Sequence, residues 1–153
     1  MLPILRNIVA VVAGFLTGSA INMAILGLGP QVIPLPAGVD LSDTSDMHKF
    51  AENLKLLKPA NFIAPWLAHA VGTLLGAFVA ASIAASHKRK FALVIGVLFL
   101  LGGIAMVALV GGPLWFAVVD LVGAYLPMAY LGWLLACGKT RNSPTSPAPA
   151  ASQ

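Results

Sequence analysis

Charged residues are scarce in this chain. Only 9% of its 153 residues are charged and 59% are hydrophobic, which gives a mean hydropathy of +0.91. Soluble domains carry about 25% charged residues, so this composition excludes an ordinary soluble domain. The sequence therefore predicts an all-α, polytopic membrane protein without a separate globular domain. The excess of basic over acidic residues is typical of membrane topology signals, and we expect no nucleic-acid partner.

Cysteine is almost absent as well. The single Cys137 excludes an internal disulfide and a redox centre with two thiols. The sequence also lacks a phosphate-cradling glycine loop, a nucleophile elbow and a zinc motif. One histidine and one acid in the apolar part of the chain, His69 and Asp120, would leave the ligand shell of a metal incomplete. We therefore expect no enzymatic activity, no metal site and no cofactor.

Long apolar runs make up most of the sequence. Each is long enough to cross a bilayer as a helix of about 20 residues, and together they cover residues 4–28, 61–86, 91–110 and 114–137. For the first run a cleaved signal peptide is the alternative, but its apolar part exceeds the usual length of about 7–15 residues. We predict a single four-helix transmembrane domain over residues 1–138. Residues 139–153 are rich in Pro, Ser and Ala, which predicts a disordered cytoplasmic tail.

The first two apolar runs are separated by the only sizeable loop, residues 29–59. Its first part is predicted to be extended, because proline fixes φ and lacks a donor, and this part contains Pro30, Pro34 and Pro36. Residues 42–45 offer several helix N-caps. From Asp46 to Lys58 an apolar stripe lies opposite charged residues, which predicts a short amphipathic helix on the membrane surface or across the end of the bundle.

Basic residues are distributed unevenly between the two sides of the predicted bundle. The external loop carries both signs of charge. If the N-terminus is cytoplasmic, the side opposite this loop receives Arg6, Lys88, Arg89, Lys90, Lys139 and Arg141. This bias predicts that both the N-terminus and the C-terminus are cytoplasmic.

Small residues recur at every fourth position in the first and second apolar runs. Gly14 and Gly18 form a GxxxG pair in the first run, and Gly72 and Gly76 continue the same pattern in the second. This spacing allows two helix backbones to approach closely in lipid. It predicts helix–helix packing at these four glycines.

Polar residues inside the apolar runs are few, and they share one depth. Asp120 is the only acid outside the loop, and an acid at the centre of a membrane helix costs about 2.5–3.5 kcal/mol. Asn22, His69 and Asp120 each lie about 9–10 Å below the predicted outer boundary. Thr73 lies on the same side of its helix as His69. We expect His69 and Asp120 to meet, with Asn22 close by, in a buried polar site that serves either transport or helix pairing.

Pro127 falls inside the fourth run, seven residues after Asp120. In a helix it leaves the carbonyl of Gly123 without a donor and bends the axis. Such a bend below a buried acid is compatible with a gate, but a static bend around the third helix is the interpretation that we favour.

Two segments carry a resemblance to known proteins. LAHAVGTLLGAFVAA, residues 67–81, and PLWFAVVDLVGAYLPMAYLG, residues 113–132, resemble a family of small, uncharacterised four-span bacterial inner-membrane proteins with no assigned activity. The resemblance covers the second to fourth runs and implies a bacterial inner-membrane location and no catalytic role. Small multidrug transporters also have four spans, but they carry an acid in the first helix, which this chain lacks.

Two classes of function are compatible with these features. One is an accessory or assembly subunit, or a self-associating helix bundle, whose glycines pack against a second copy or a larger membrane complex. One acid and one histidine are few for a transporter, which favours this class. The alternative is a proton-linked transporter or channel component that uses the pair of Asp120 and His69. In either case the lipid bilayer is the expected surrounding.

Overall fold

The computed structural model describes the backbone of residues 2–141 and the side chains of residues 2–138. Within this range the chain forms helices and no strands, so the predicted all-α fold is confirmed. A 3₁₀ turn at Pro59–Phe62 precedes the third helix. The α-helices are α1 (Pro3–Val32), α2 (Met47–Lys55), α3 (Ile63–Ile83), α4 (Lys88–Val110), α5 (Leu114–Gly123) and α6 (Leu126–Arg141).

The described chain contains four helical stretches that are long and apolar enough to cross a membrane. They are Pro3–Val32, Pro59–Ile83, Lys88–Val110 and Leu114–Gly138. The last stretch combines α5 and α6. These stretches match the four predicted spans, and the protein is a multi-pass membrane protein.

The helix α3 lies at the centre of the bundle. It packs against α1, α4 and α6, and it is the most buried of the four spans. Large apolar side chains are exposed mainly along α1, α4, α5 and α6. Exposed apolar surface of this kind is suited to lipid, since the surrounding hydrocarbon is as apolar as leucine.

Glycines form the seam between α1 and α3. A methyl group on Gly72 would lie 2.8 Å from the carbonyl oxygen of Gly18, and one on Gly76 would lie 2.7 Å from that of Gly14. The two backbones therefore touch where a side chain cannot fit. The seam continues through alanines with no exposed surface, Ala10, Ala68 and Ala80. The structure thus places all four predicted packing glycines at one contact within a single chain.

The prediction for the start of the loop is wrong at Pro30. This residue lies inside α1, which continues to Val32. The fixed φ of proline is compatible with a helix, and near a helix end only one backbone hydrogen bond is lost. The helix closes immediately afterwards, because the N–H of Ile33 donates to the carbonyl of Gly29 at 2.9 Å.

The amphipathic helix is present, but its boundaries differ from the predicted ones. It runs over Met47–Lys55, and its N-cap is Asp46, whose carboxylate accepts from the backbone N–H groups of His48 and Lys49. The predicted caps at residues 42–45 instead form local turns. Each turn uses an aspartate two residues before a serine, so that Asp40 caps Ser42 and Asp43 caps Ser45. The helix α2 contacts α4.

The other span boundaries shift by a few residues. The second span ends at Ile83, before the predicted Ser86, because side chains of α1 bind the groups that follow it. Arg6 donates through Nε to the carbonyl of Ile83 at 2.6 Å, and the N–H of Ala85 donates to Asn7 Oδ1 at 2.9 Å. The third span begins earlier, at Lys88. The last helix continues to Arg141, so residues 139–141 of the predicted tail are helical, and residues 142–153 lie outside the described range.

Candidate functional site

The fourth span is interrupted between α5 and α6. Ala124 and Tyr125 lie between the two helices. Pro127 explains the interruption, because it has no N–H to donate to the carbonyl of Gly123. The N–H of Ala124 still bonds to the carbonyl of Asp120 at 2.9 Å, and that of Ala129 bonds to the carbonyl of Tyr125 at 2.8 Å. The bend predicted at Pro127 is therefore a local break in the helix.

Three side chains meet at this break. Nδ1 of His69 lies 2.8 Å from Oδ1 of Asp120. The hydroxyl of Tyr125 donates to Oδ2 of Asp120 at 2.8 Å, and it lies 3.1 Å from Nδ1 of His69. The structure thus brings His69 and Asp120 together, and it adds a phenol that satisfies the second carboxylate oxygen. We call His69, Asp120 and Tyr125 the polar triad.

The break explains how Tyr125 reaches Asp120. The two residues are five positions apart, and in a continuous helix their side chains would point about 140° away from each other. Only residues three or four positions apart are neighbours on a helix surface. The non-helical geometry at Tyr125 therefore allows a contact that regular helix geometry does not provide.

Burial differs among the three members of the triad. Asp120 is 3% exposed and Tyr125 is 2% exposed, whereas the side chain of His69 is 26% exposed. A charge inside an apolar bundle must be paired and hydrogen-bonded, and both oxygens of Asp120 meet this condition. Because the imidazole is the most exposed member, it connects the buried carboxylate with the surface of the bundle.

A glycine of α4 makes room for the phenol. A methyl group on Gly103 would lie 2.5 Å from the hydroxyl oxygen of Tyr125. Sequence reasoning missed both Gly103 and Tyr125. The available signal for Tyr125 was its position in the segment predicted to bend, since a buried tyrosine hydroxyl needs a hydrogen-bond partner. For Gly103 no signal exists until the position of the phenol is known.

Two further polar atoms on α3 are buried without a partner. They are Oγ1 of Thr73, one helical turn from His69, and Nε1 of Trp66. The indole of Trp66 lies beside the break, since its Nε1 is 3.7 Å from the position that a methyl group on Gly123 would take. Buried polar groups are normally hydrogen-bonded. Near the triad, the indole N–H of Trp66 and the hydroxyl of Thr73 are therefore each able to form one more hydrogen bond.

Asn22 lies in the seam between α1 and α3. Its Cβ lies 3.2 Å from the position of a methyl group on Gly72, in the seam between α1 and α3, and it makes no hydrogen bond to the triad. Gly72 is three positions from His69, so the two residues are neighbours on the surface of α3. That Asn22 takes part in the buried polar site therefore stays a prediction.

The described residues contain no group of three or more His, Cys, Asp and Glu side chains that could hold a metal ion. Comparisons with family models, curated proteins and solved structures give no significant match. The site is consequently defined by its own geometry. It is a buried carboxylate, imidazole and phenol at a helix break, inside a multi-pass helical membrane protein.

Proposed function

We propose that this protein is a proton-linked membrane component, part of a transporter or a channel, whose proton-binding site is the polar triad. One observation carries the proposal. The two oxygens of the buried Asp120 carboxylate are bonded to two different groups that can carry a proton, the partly exposed His69 and the buried Tyr125. Acids inside membrane helices mark ion pathways and proton relays more often than simple packing contacts.

The chemistry of the triad supports two protonation states in one network. With a proton on both ring nitrogens, His69 is a cation whose Nδ1–H donates to carboxylate Oδ1. After that pair loses a proton, the remaining proton is shared between an imidazole and a carboxylate that are already in contact. The hydroxyl of Tyr125 donates to the other oxygen of the same carboxylate, Oδ2.

The packing of the glycines weakens the alternative of an accessory subunit. The sequence favours that class partly because its glycine patterns suit contact with a partner. In the structure Gly14 and Gly18 contact Gly76 and Gly72 of the same chain. These glycines therefore pack α1 against α3 and are not exposed to a partner. The accessory role remains the second candidate, because the apolar side chains exposed along α1 and α4 could contact another subunit. A stoichiometric foreign protein that co-purifies at native size would favour it.

The proposal includes a location, the bacterial inner membrane, with both termini in the cytoplasm and no enzymatic activity. The distribution of charge supports the orientation, because Arg6 and Lys88–Lys90 lie at the end opposite to the loop that carries Asp40 and Asp43. A test uses the variant Cys137→Ser as background. A cysteine at His87 is expected to react only from the cytoplasm, and one at Ser45 only from outside. Labelling of both from one side would refute the orientation.

Proton binding is tested by infrared pH titration of the purified protein. We expect one component of the pH-dependent carboxyl absorption, that of Asp120, to be present in the wild type and absent in Asp120→Asn, which preserves the shape of the side chain. Asp43→Asn, in the exposed loop, is the matched control and should retain that component. In proteoliposomes with an imposed membrane potential, the wild type and the control should conduct protons and Asp120→Asn should not. A folded Asp120→Asn variant with wild-type proton flux would contradict the proposal.

A further inference from the structure

The end of the bundle that carries Lys88–Lys90 has no acidic residue nearby in the described part of the chain. All five acids lie either in the loop between α1 and α3 or at Asp120 in the outer half of the fourth span. The ion pairs among the described residues are Lys55 with Glu52 and His69 with Asp120. The cations at this end therefore lack a carboxylate partner within the chain.

Two of the arginines at this end already bind protein groups. Arg6 donates to the carbonyl of Ile83, and the guanidinium of Arg89 lies 5.5 Å from the ring centres of both Tyr130 and Trp133. Lys88 and Lys90 have no comparable contact. They are the two cations of the described basic end that are available to a negatively charged ligand.

The backbone at the start of α4 adds to this positive end. His87 precedes the helix in the left-handed conformation, with φ 48°, and its side chain does not cap the helix. The first N–H groups of a helix carry partial positive charge and attract anions. Lys88 and Lys90 lie in this first turn, so their charges add to that of the helix end.

Two apolar grooves begin at the same turn. The larger, of about 460 Å³, lies between α1 and α4 and is lined by Ile4, Asn7, Ile8, Val11, Val12 and Phe91. The second, of about 330 Å³, follows α4 and is lined by Lys90, Leu93, Val94, Val97 and Leu98. Lys90 and Phe91 are consecutive residues, so the two grooves start side by side. Both are lined by residues of the membrane-spanning stretches Pro3–Val32 and Lys88–Val110.

We propose that this surface binds one anionic two-chain phospholipid. Its phosphate lies at Lys88, Lys90 and the start of α4, and its two acyl chains lie in the two grooves. Charge complementarity identifies the occupant. The surface offers cations without carboxylate partners, and apolar grooves begin beside them. Basic clusters beside membrane helices bind anionic headgroups at about 1 kcal/mol per Lys or Arg. This lipid site is separate from the polar triad and does not depend on its function.

The test measures lipid binding to the full-length protein by native mass spectrometry and thermal stability. Phosphatidylglycerol is the probe, phosphatidylcholine with the same acyl chains is the neutral comparison, and inorganic phosphate is the lipid-free comparison. We expect the wild type to retain one phosphatidylglycerol and to gain thermal stability from it. Lys88→Gln with Lys90→Gln should weaken that binding by at least tenfold, since each lysine contributes about fivefold. The matched control, Lys49→Gln with Lys55→Gln in the outer loop, should bind as the wild type does.

A second variant tests the grooves without changing charge. Val94→Trp fills the groove along α4 and should also weaken retention of phosphatidylglycerol, although both lysines remain. Equal stabilisation by phosphatidylcholine would overturn the proposal, because the headgroup charge would then have no effect. Equal stabilisation by inorganic phosphate would overturn it too, because the site would then bind an anion without using the grooves. Wild-type binding by the double lysine variant would be a third contradiction.

Discussion

Adjacent residues of α3 have different roles: some pack closely against α1, and others carry polar side chains. Ala68 and Gly72 face α1 through a seam in which the backbones touch. Their sequence neighbours His69 and Thr73 carry polar groups, and His69 bonds to Asp120 of α5. The glycine seam has no room for an added methyl group, whereas the polar side retains buried polar atoms without partners on Thr73 and Trp66. One helix thus separates close packing from the proposed chemistry.

This comparison teaches where substitutions should affect stability and where they should affect function. In lipid no hydrophobic driving force holds helices together, so the glycine seam depends on close van der Waals packing and tolerates no added volume. The polar side depends on hydrogen bonds among Asp120, His69 and Tyr125, each of which contributes modestly. We therefore expect large losses of stability at the seam and smaller losses, with changed function, at the triad.

Gly72→Ile is the change with the largest expected effect, and it tests the seam directly. A β-carbon at this position would lie 2.8 Å from the carbonyl oxygen of Gly18, so α1 and α3 must separate. Overpacking costs about 1–3 kcal/mol even where side chains can adjust, and here the obstacle is backbone. We expect a strong decrease in melting temperature and a loss of monodispersity in detergent. Gly76→Ile, against the carbonyl of Gly14, should behave in the same way.

Gly102→Ile is the matched control for the seam. A β-carbon on Gly102 meets no atom within 4 Å, so the same substitution in α4 adds volume only to the exposed surface. This variant should express, insert and melt nearly as the wild type does. If Gly72→Ile and Gly102→Ile were equally stable, the seam would not be a close contact and the contrast between the two sides of α3 would fail.

Tyr125→Phe tests the polar side and should have a smaller effect on stability. It removes the donor to Oδ2 of Asp120 and leaves a buried acceptor unpaired, at a cost of about 1 kcal/mol. Asp120→Asn should keep the fold. In the double variant, Tyr125→Phe should cost less than it does alone, because the carboxylate that needs the phenol is gone. Strictly additive melting-temperature changes would indicate that the two groups are not coupled.

The fold and part of the site could be predicted from the sequence because they depend on simple regularities. Apolar length defines the four spans. The contact between His69 and Asp120 follows from their equal depth and the cost of an unpaired acid in lipid. Depth does not specify direction, however. Asn22 has the required depth, but it contacts Gly72 in the glycine seam and makes no hydrogen bond to the triad.

The parts that could not be predicted depend on irregular backbone. Tyr125 joins Asp120 only because the helix is interrupted, and arithmetic based on a regular helix places the two side chains far apart. Pro30 was expected to lie in an extended loop, yet it lies inside α1, because its fixed φ is compatible with a helix. The N-cap of α2 was ambiguous since several residues before it are good caps, and only the structure identifies Asp46.

Asp46→Ala extends the comparison to a carboxylate outside the membrane. Its side chain accepts from the N–H groups of His48 and Lys49, and removal of such a cap costs about 1 kcal/mol of helix stability. Because α2 contains no buried residue, we expect this loss to remain local. Hydrogen exchange should accelerate at the amides of His48 and Lys49, with the melting temperature of the bundle unchanged. A decrease in that temperature as large as for Tyr125→Phe would show that α2 is an integral part of the bundle.

Ser42→Ala has the smallest expected effect and compares an exposed carboxylate with the buried Asp120. Both hydrogen bonds to the carboxylate of Asp40 come from Ser42, whose hydroxyl and N–H donate to Oδ1 at 2.7 Å and 2.8 Å. The hydroxyl bond is the main cause that lowers the pKa of Asp40, and the N–H bond is the next. A lowered pKa means that this turn is stabilised above the ordinary pKa of the carboxyl group and loses that stabilisation as the pH falls through the lowered value.

Ser42→Ala should therefore raise the pKa of Asp40 towards its ordinary value, as measured by carboxyl NMR titration. Asp43, whose pKa is lowered in the same way by Ser45, is the internal control and should not change. An unchanged pKa of Asp40 would mean that this turn is open in solution, in contrast to the hydrogen-bonded carboxylate of the buried Asp120.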